Sequence, residues 1–234
     1  VAQPLIITLD GPAGAGKSTT ARKVAERLGY QHVDSGAMYR VVTLAAIQNL
    51  VPYTNEALGQ LAGKIRIRFE PSFGGQRVLL DTVDVTEQIR SAQVTANVSE
   101  VSSFHNVRNA MVQLQREYGL NGGVVMDGRD IGSVVFPFAQ IKMFLSADLE
   151  VRAQRRAAEL AAGGNSVETS EMIEALDKRD KYDSEREESP LIKPEGSIEI
   201  DTTNLTIDEQ VEAILEIVRK YQQTYDMITA FGDI

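Results

Sequence analysis

The chain has 234 residues, no cysteine and a net charge of −9, with a pI near 4.9. This excludes disulfides, thiolate metal sites and cysteine nucleophiles, and it argues against a nucleic acid as partner, because such binders carry a surplus of basic residues. No uncharged apolar run approaches the ~18 residues needed to cross a bilayer, and VAQPLIITLDG lacks a basic segment followed by a long apolar one, so a soluble, cytoplasmic chain of one domain is expected, a small anion remaining a possible ligand.

Taken in chain order, PLIITLD reads as a short strand ending at Gly11, and Lys17 to Leu28 as a helix with its apolar face on Ala21, Val24, Ala25 and Leu28, stopped by Gly29. YQHV reads as a second strand and AMYRVVTLAAIQNL as a buried helix. From Lys64 to about Arg90, KIRIRFE and QRVLLDTVDV around a Pro71 to Gly75 turn predict a small antiparallel insert outside the main sheet. GGVVMD and IKMFLSA are continuous apolar runs of the kind found in parallel strands covered on both faces. The charge-dense LAAGGNSVETSEMIEALDKRDKYDSEREESP, broken at Gly-Gly, reads as two helices or a helix and loop forming a mobile lid. SIEI is a last strand, and Thr206 with Glu209 forms a capping box that opens the final helix. The tail after Tyr221 has no clear period and is expected to fray. At least five strand-helix alternations define an α/β fold with an open parallel sheet.

Within this frame, Gly11 to Ser18, GPAGAGKS, fits the phosphate-binding pattern G-x-x-x-x-G-K-[ST] between a strand and a helix. Its glycines let successive N–H groups point into one concavity, the helix start adds partial positive charge, Lys17 can reach the β and γ phosphates, and the Ser18 hydroxyl can ligate Mg²⁺. The nucleoside triphosphate site therefore spans Gly11, Pro12, Ala13, Gly14, Ala15, Gly16, Lys17, Ser18 and Thr19. Asp127 closes an apolar strand where open α/β sheets place their ligands and could orient the metal's water shell; a strand merely ending in an Asp-Gly turn is the lesser reading, weakened further by the phosphate loop beside it. The loop indicates a nucleoside triphosphate without separating kinase, GTPase and motor.

Arginines beside small polar groups recur at Ser35 and Arg40, Arg108, Arg129 and Asp130, and Arg179, Asp180, Asp183 and Arg186. Such planar forks match phosphate, and two phosphate-bearing ligands would use this many, although RDKYDSER alone is also compatible with a solvated helix laced by ion pairs. His32 and His105 lie in no catalytic motif and read as structural. An acceptor that is itself a phosphate, with a second pKa of about 6, needs no base to ionise it, so positioning and charge stabilisation suffice.

GPAGAGKST, DSGAMYR, VMDGRDIGSVVFP, KMFLSA, RAQRR and RDKYDSER together resemble the bacterial cytidylate kinases along nearly the whole chain to about Tyr221. The resemblance implies a P-loop, nucleoside monophosphate kinase-like fold in one kinase domain over 1–221, with a monophosphate-binding insert at about 35–103, a lid at about 152–190 and a tail at 222–234. It implies transfer of the ATP γ-phosphoryl group to CMP or dCMP. The expected enzyme is Mg²⁺-dependent, its acceptor and lid domains closing to exclude water that would waste ATP, and a monomer, since nothing in the sequence demands a partner chain. By position, Ser99, Arg108 and Asp130 would read cytosine, Ser35, Arg40 and Arg129 would lie along the acceptor phosphate, and Asp183 would bind a ribose hydroxyl. Arg179 and Arg186 would close over the transferring group, so the catalytic set is Lys17, Arg129, Asp130, Arg179 and Arg186, with Arg155 and Arg156 as weaker candidates. Another small acceptor such as UMP or a sugar acid, or a nucleotide-dependent switch, are the competing readings. Two features depart from the family pattern: the hairpin LLDTVDVTEQIR lacks an Asn-Gly or Asp-Gly turn, and the chain extends past the usual final helix.

Overall fold

In a computed structural model, residues 4–73, 75–162, 164 and 167–231 are described. The elements run β1 (Ile6–Asp10), α1 (Lys17–Leu28), β2 (Gln31–Asp34), α2 (Ser35–Gln48), α3 (Asn55–Ala62), β3 (Ile67–Ser72), β4 (Gly75–Leu80) and β5 (Val83–Asp84). There follow α4 (Ala92–Val101), α5 (His105–Tyr118), β6 (Val124–Gly128), β7 (Ile141–Ser146), α6 (Leu149–Ala162), α7 (Thr169–Glu185), β8 (Ile198–Asp201) and α8 (Ile207–Phe231). β2, β6, β1, β7 and β8 pair in that order, all parallel. The chain leaves β1 toward β2 on one side and later fills β7 and β8 on the other. Ligands of open α/β sheets sit outside the carboxyl ends of the strands at such a reversal.

Both faces of the sheet are covered, as the continuous apolar runs require. On one side α1 and α8 pack Val24, Val211, Ile214 and Val218 against Ile7, Leu9, Met143 and Leu145. On the other, α2 and α5 share a core with the insert, in which Val42, Leu58, Phe69, Val78, Val98 and Met111 join Val33 and Met126 of the sheet. The insert is the antiparallel sheet β3-β4-β5 expected from the sequence, outside the main sheet, and its buried side chains share a core with that sheet. The lid helices α6 and α7 have only a thin core, Ala153, Met172 and Leu176, against which Ala13 of the glycine loop packs.

Local chemistry accounts for the element ends. Gly29 ends α1 in the left-handed region (φ 67°), Asp34 caps α2 by accepting from the Ala37 N–H, and the Thr206 and Glu209 capping box forms at the start of α8. The β4-β5 turn works without Asn-Gly because Asp81 itself takes φ 56°. Its carboxylate accepts from the Arg66 N–H, tying this turn to the start of β3, while β4 and β5 pair Leu80 with Val83. The tail departs from expectation. α8 continues past Tyr221 to Phe231, and its surface there is exposed through 223–228. Residues 232–234, Gly74 of the hairpin turn and Gly163 of the lid break lie outside the described residues. Among the described residues no helix is long and apolar enough to cross a membrane.

Candidate active site

The carboxyl edge of the sheet assembles three acids side by side. The register sets Asp127 of β6 opposite both Leu9 of β1 and Asp34 of β2, with Asp10 one residue further along β1. The glycine loop follows at once. Gly14 (φ 79°) and Gly16 (φ 88°) adopt left-handed backbone, and a Cβ on Gly14 would lie 2.9 Å from Arg152. Gly16 caps α1 without any side chain, and no acid sits in the first turn, so the amides at this helix start are left for an anion.

Lys17 is buried and donates to the Pro12 carbonyl at 2.6 Å. Burial, and then the nearby Arg129, bring its pKa down from 10.5 to about 7. Ser18 Oγ lies 2.5 Å from Asp127 Oδ2. Among the described residues no group of three or more His, Asp or Glu gathers to hold a metal by protein ligands alone. A hydroxyl beside a carboxylate below a phosphate loop instead fits Mg²⁺, which keeps several waters and takes few protein ligands.

Above this floor lies a cleft of ≈ 2060 Å³. Of the expected triphosphate site, Ala13, Gly14, Gly16, Lys17, Ser18 and Thr19 line it, whereas Gly11, Pro12 and Ala15 do not. Asp127, Ser35, Arg40, Ser99, Arg108, Arg129, Asp130, Arg179, Asp183 and Arg186, drawn from both sequence halves, all face the same cleft. RDKYDSER is therefore no ordinary solvated helix: Asp183 is buried, and Arg186 has side-chain exposure of only 7%.

The cations and acids form one connected network. Arg108 pairs with Asp130 and also donates to the Ser102 carbonyl at 3.1 Å, lying over the Tyr39 ring with 5.3 Å to its centroid. Arg129 Nε donates to Asp183 Oδ2 at 2.9 Å; Arg186 stands 4.0 Å from both Asp130 and Asp183, and Arg179 3.9 Å from Asp183. Burial raises the Asp183 carboxyl, but Arg129, Arg179 and Arg186 outweigh it and hold the group below its ordinary value. Two carboxylates thus steady four guanidiniums and leave the cluster net positive. Burial and the neighbouring Arg129 push Arg179 down to about 10. Arg40 donates to the Ile89 carbonyl and to Thr95, joining α2 to the insert. Ser35 Oγ donates to the Asp127 carbonyl at 2.7 Å. Ser99 contributes its carbonyl to Ser102 Oγ.

Other contributors lie outside the expected set. Asp10 accepts from the Ile131 and Gly132 N–H groups, both at 2.7 Å, and so pins the π-helical turn Ile131–Val135 directly after Asp130. Burial pushes its carboxyl up to about 7 despite those two amides. Arg152 of the lid bonds the Ala13 and Ala147 carbonyls and Asp180, locking α6 and α7 to the glycine loop. His32 bonds Asp127, while His105, the other histidine, sits outside the cleft against Glu188. Of the weaker candidates, Arg155 donates to the main chain of Thr202, Thr203 and Leu205, and Arg156 pairs with Glu159. The strand-end position of Asp10, just before the glycine loop, was the one signal in the sequence that could have marked any of these.

A model of the cytidylate kinase family matches residues 7–220. The chain belongs to the cytidylate kinase family. It is 47% identical over 217 residues to a cytidylate kinase of Bacillus subtilis, covering 92% of this chain and 97% of that one. The corresponding protein of Leuconostoc mesenteroides is 47% identical over 213 residues, covering 91% and 95%. A gluconokinase structure from Sinorhizobium meliloti, 14% identical over 97% of this chain and 99% of its own with a TM-score of 0.50, is similar in fold alone. The resemblance carried by the motifs thus holds along the chain, and with it the expected enzyme class, a kinase, on the expected α/β fold.

Proposed function

We propose that this kinase transfers the γ-phosphoryl group of ATP to CMP or dCMP, giving ADP and CDP or dCDP. The observation that carries the reading is that the glycine loop and the buried Arg108–Asp130 pair face one cleft of ≈ 2060 Å³ in a chain of the cytidylate kinase family. One ligand fills a pocket of roughly 300–1,000 Å³, so this cleft has room for two nucleotides.

The acceptor end reads cytosine by complementarity. Its N4 amino group offers donors to Asp130, and its N3 and O2 offer acceptors to Arg108; uracil would set a carbonyl against the carboxylate. Ser99 assists from α4. Ser35, Arg40 and Arg129 hold the acceptor phosphate, and Asp183 takes a ribose hydroxyl. An ionised oxygen of that phosphate attacks the γ phosphorus in line, the bond to the β–γ bridging oxygen breaks, and ADP leaves with the electron pair. No general base is required, because the acceptor is already ionised above pH of about 6. Lys17, Arg129, Arg179 and Arg186 offset the charge that shifts between the two phosphates, and Asp130 keeps Arg108 and Arg186 in place. Ser18 and Asp127, the latter through water, would hold Mg²⁺, which would supply neutralisation of phosphate charge there. The thin core of the lid supports closure over the bound pair, excluding the water that would otherwise hydrolyse ATP.

An acceptor panel at fixed ATP tests the assignment. CMP or dCMP is expected to show the highest kcat/KM among CMP, dCMP, UMP and AMP; equal or faster turnover of UMP or AMP overturns it.

A further inference from the structure

The two oxygens of Asp127 have different partners. Oδ2 faces Ser18 Oγ at 2.5 Å, and Oδ1 is met by His32 Nε2 at 2.8 Å. His32 belongs to no phosphate or nucleotide motif; it is the second residue of β2, 8% exposed, one strand away from Asp127. A carboxylate can only accept, so the proton of the imidazole sits on Nε2. Nδ1 is buried and without a partner among the described residues, as suits the nitrogen that carries the lone pair. The main chain is held as well: the His32 carbonyl accepts from Gln76 Nε2 at 2.9 Å, tying β2 to β4 of the insert. The ring is therefore a fixed donor, clamped at its backbone and aimed at one oxygen of a carboxylate whose terminal torsion is otherwise broad and two-fold.

We propose that His32 is a positioning residue for phosphoryl transfer: its Nε2–H sets the rotation of the Asp127 carboxylate so that Oδ2 is presented to Ser18 and to the water shell of the metal. The proposal rests on the reading of Asp127 as the metal-side carboxylate. Ser18, in the first turn of α1 where phosphate must also be accommodated, holds one oxygen only. Removing the donor to the other lets the carboxyl group turn, and the metal loses an ordered partner while the acceptor-reading residues Arg108 and Asp130 keep theirs.

The test compares His32→Leu, His32→Gln and His32→Asn with the unmodified enzyme and with Asp127→Asn. Gln can place an amide nitrogen where Nε2 lies, and Asn falls short of it. Hydrogen-bonding partners around metal ligands are typically worth about 10–100-fold in metal affinity or activity. His32→Leu is thus expected to weaken Mn²⁺ binding to the complex with a non-hydrolysable ATP analogue, read by electron paramagnetic resonance, by about tenfold, and to lower kcat by a similar factor with KM for CMP within about twofold. His32→Gln should recover most of both losses and His32→Asn little; if the Leu variant does not fold, this contrast decides alone. Unchanged Mn²⁺ affinity in His32→Leu, or Gln no better than Asn, overturns the proposal. If Asp127→Asn binds Mn²⁺ normally, the metal-side reading of Asp127 itself is what fails; if Asp127→Asn is impaired while His32→Leu is not, only the role of His32 falls.

Discussion

Lys17 should take up a proton when a nucleotide arrives. Burial under the glycine loop, followed by Arg129, brings it down to about 7 from 10.5, and Asp127 and Asp10 only partly counter this. Phosphate oxygens delivered to Nζ reverse the balance and favour the charged amine. With a free-enzyme value of about 7, only about 0.1 of Lys17 is protonated at pH 8, so a ligand that restores the ordinary value draws in about 0.9 proton, against about 0.1 at pH 6. Above pH 7 affinity should then fall by up to about tenfold per pH unit. The free fold responds in the opposite sense: unfolded Lys17 holds its proton up to 10.5, so stability rises with pH between about 7 and 10.5. Calorimetric titration of a non-hydrolysable ATP analogue at pH 8, in buffers of different ionisation enthalpy, measures the uptake directly. Phosphates are already ionised at that pH, and Arg179, at about 10, is already charged. Lys17→Arg, charged throughout, should abolish the uptake. A wild-type uptake near zero, or an equal one in Lys17→Arg, refutes the argument.

Substitutions at three further positions probe the cleft and the lid anchor beside it. Asp130→Asn replaces a charged acceptor by an amide that also donates, and should shrink the CMP-over-UMP ratio of kcat/KM by about tenfold or more; an intact ratio removes Asp130 from base reading. Arg129→Ala should lower kcat by about 10²–10³. Asp183 still has Arg179 and Arg186 beside it in that variant, so the thermal midpoint should drop by no more than about 4 °C; normal turnover, or collapse of the fold, contradicts this. Arg152→Ala strands Asp180 and two carbonyls, and should cost about 3 kcal/mol in urea unfolding, with Arg152→Lys a poor substitute because one ammonium cannot serve all three. Unaltered stability would show that the lid does not depend on this anchor.

Much of the fold was legible because its signals are local. The β1, glycine-loop, α1 succession, the Gly29 stop, the antiparallel insert and the capping box at Thr206 each follow from residues within a few positions of one another. The α8 extension was not, since the exposed side chains of 223–228 impose no period on the sequence. The short helices α3 and α4 were likewise unplaced, each burying only a few side chains.

The sequence by itself determined the phosphate loop, the strand-end Asp127 and the stock of arginines, because glycine spacing and strand-loop-helix order are written in consecutive residues. Which acid steadies which arginine, that Asp10 pins the turn after Asp130, and that His32 rather than a motif residue grips Asp127 were decided by tertiary structure alone. Arg129 and Asp183, His32 and Asp127, and Asp10 and Ile131 lie from 54 to 121 positions apart, and only the register of parallel strands and the docking of the lid bring them within hydrogen-bonding reach.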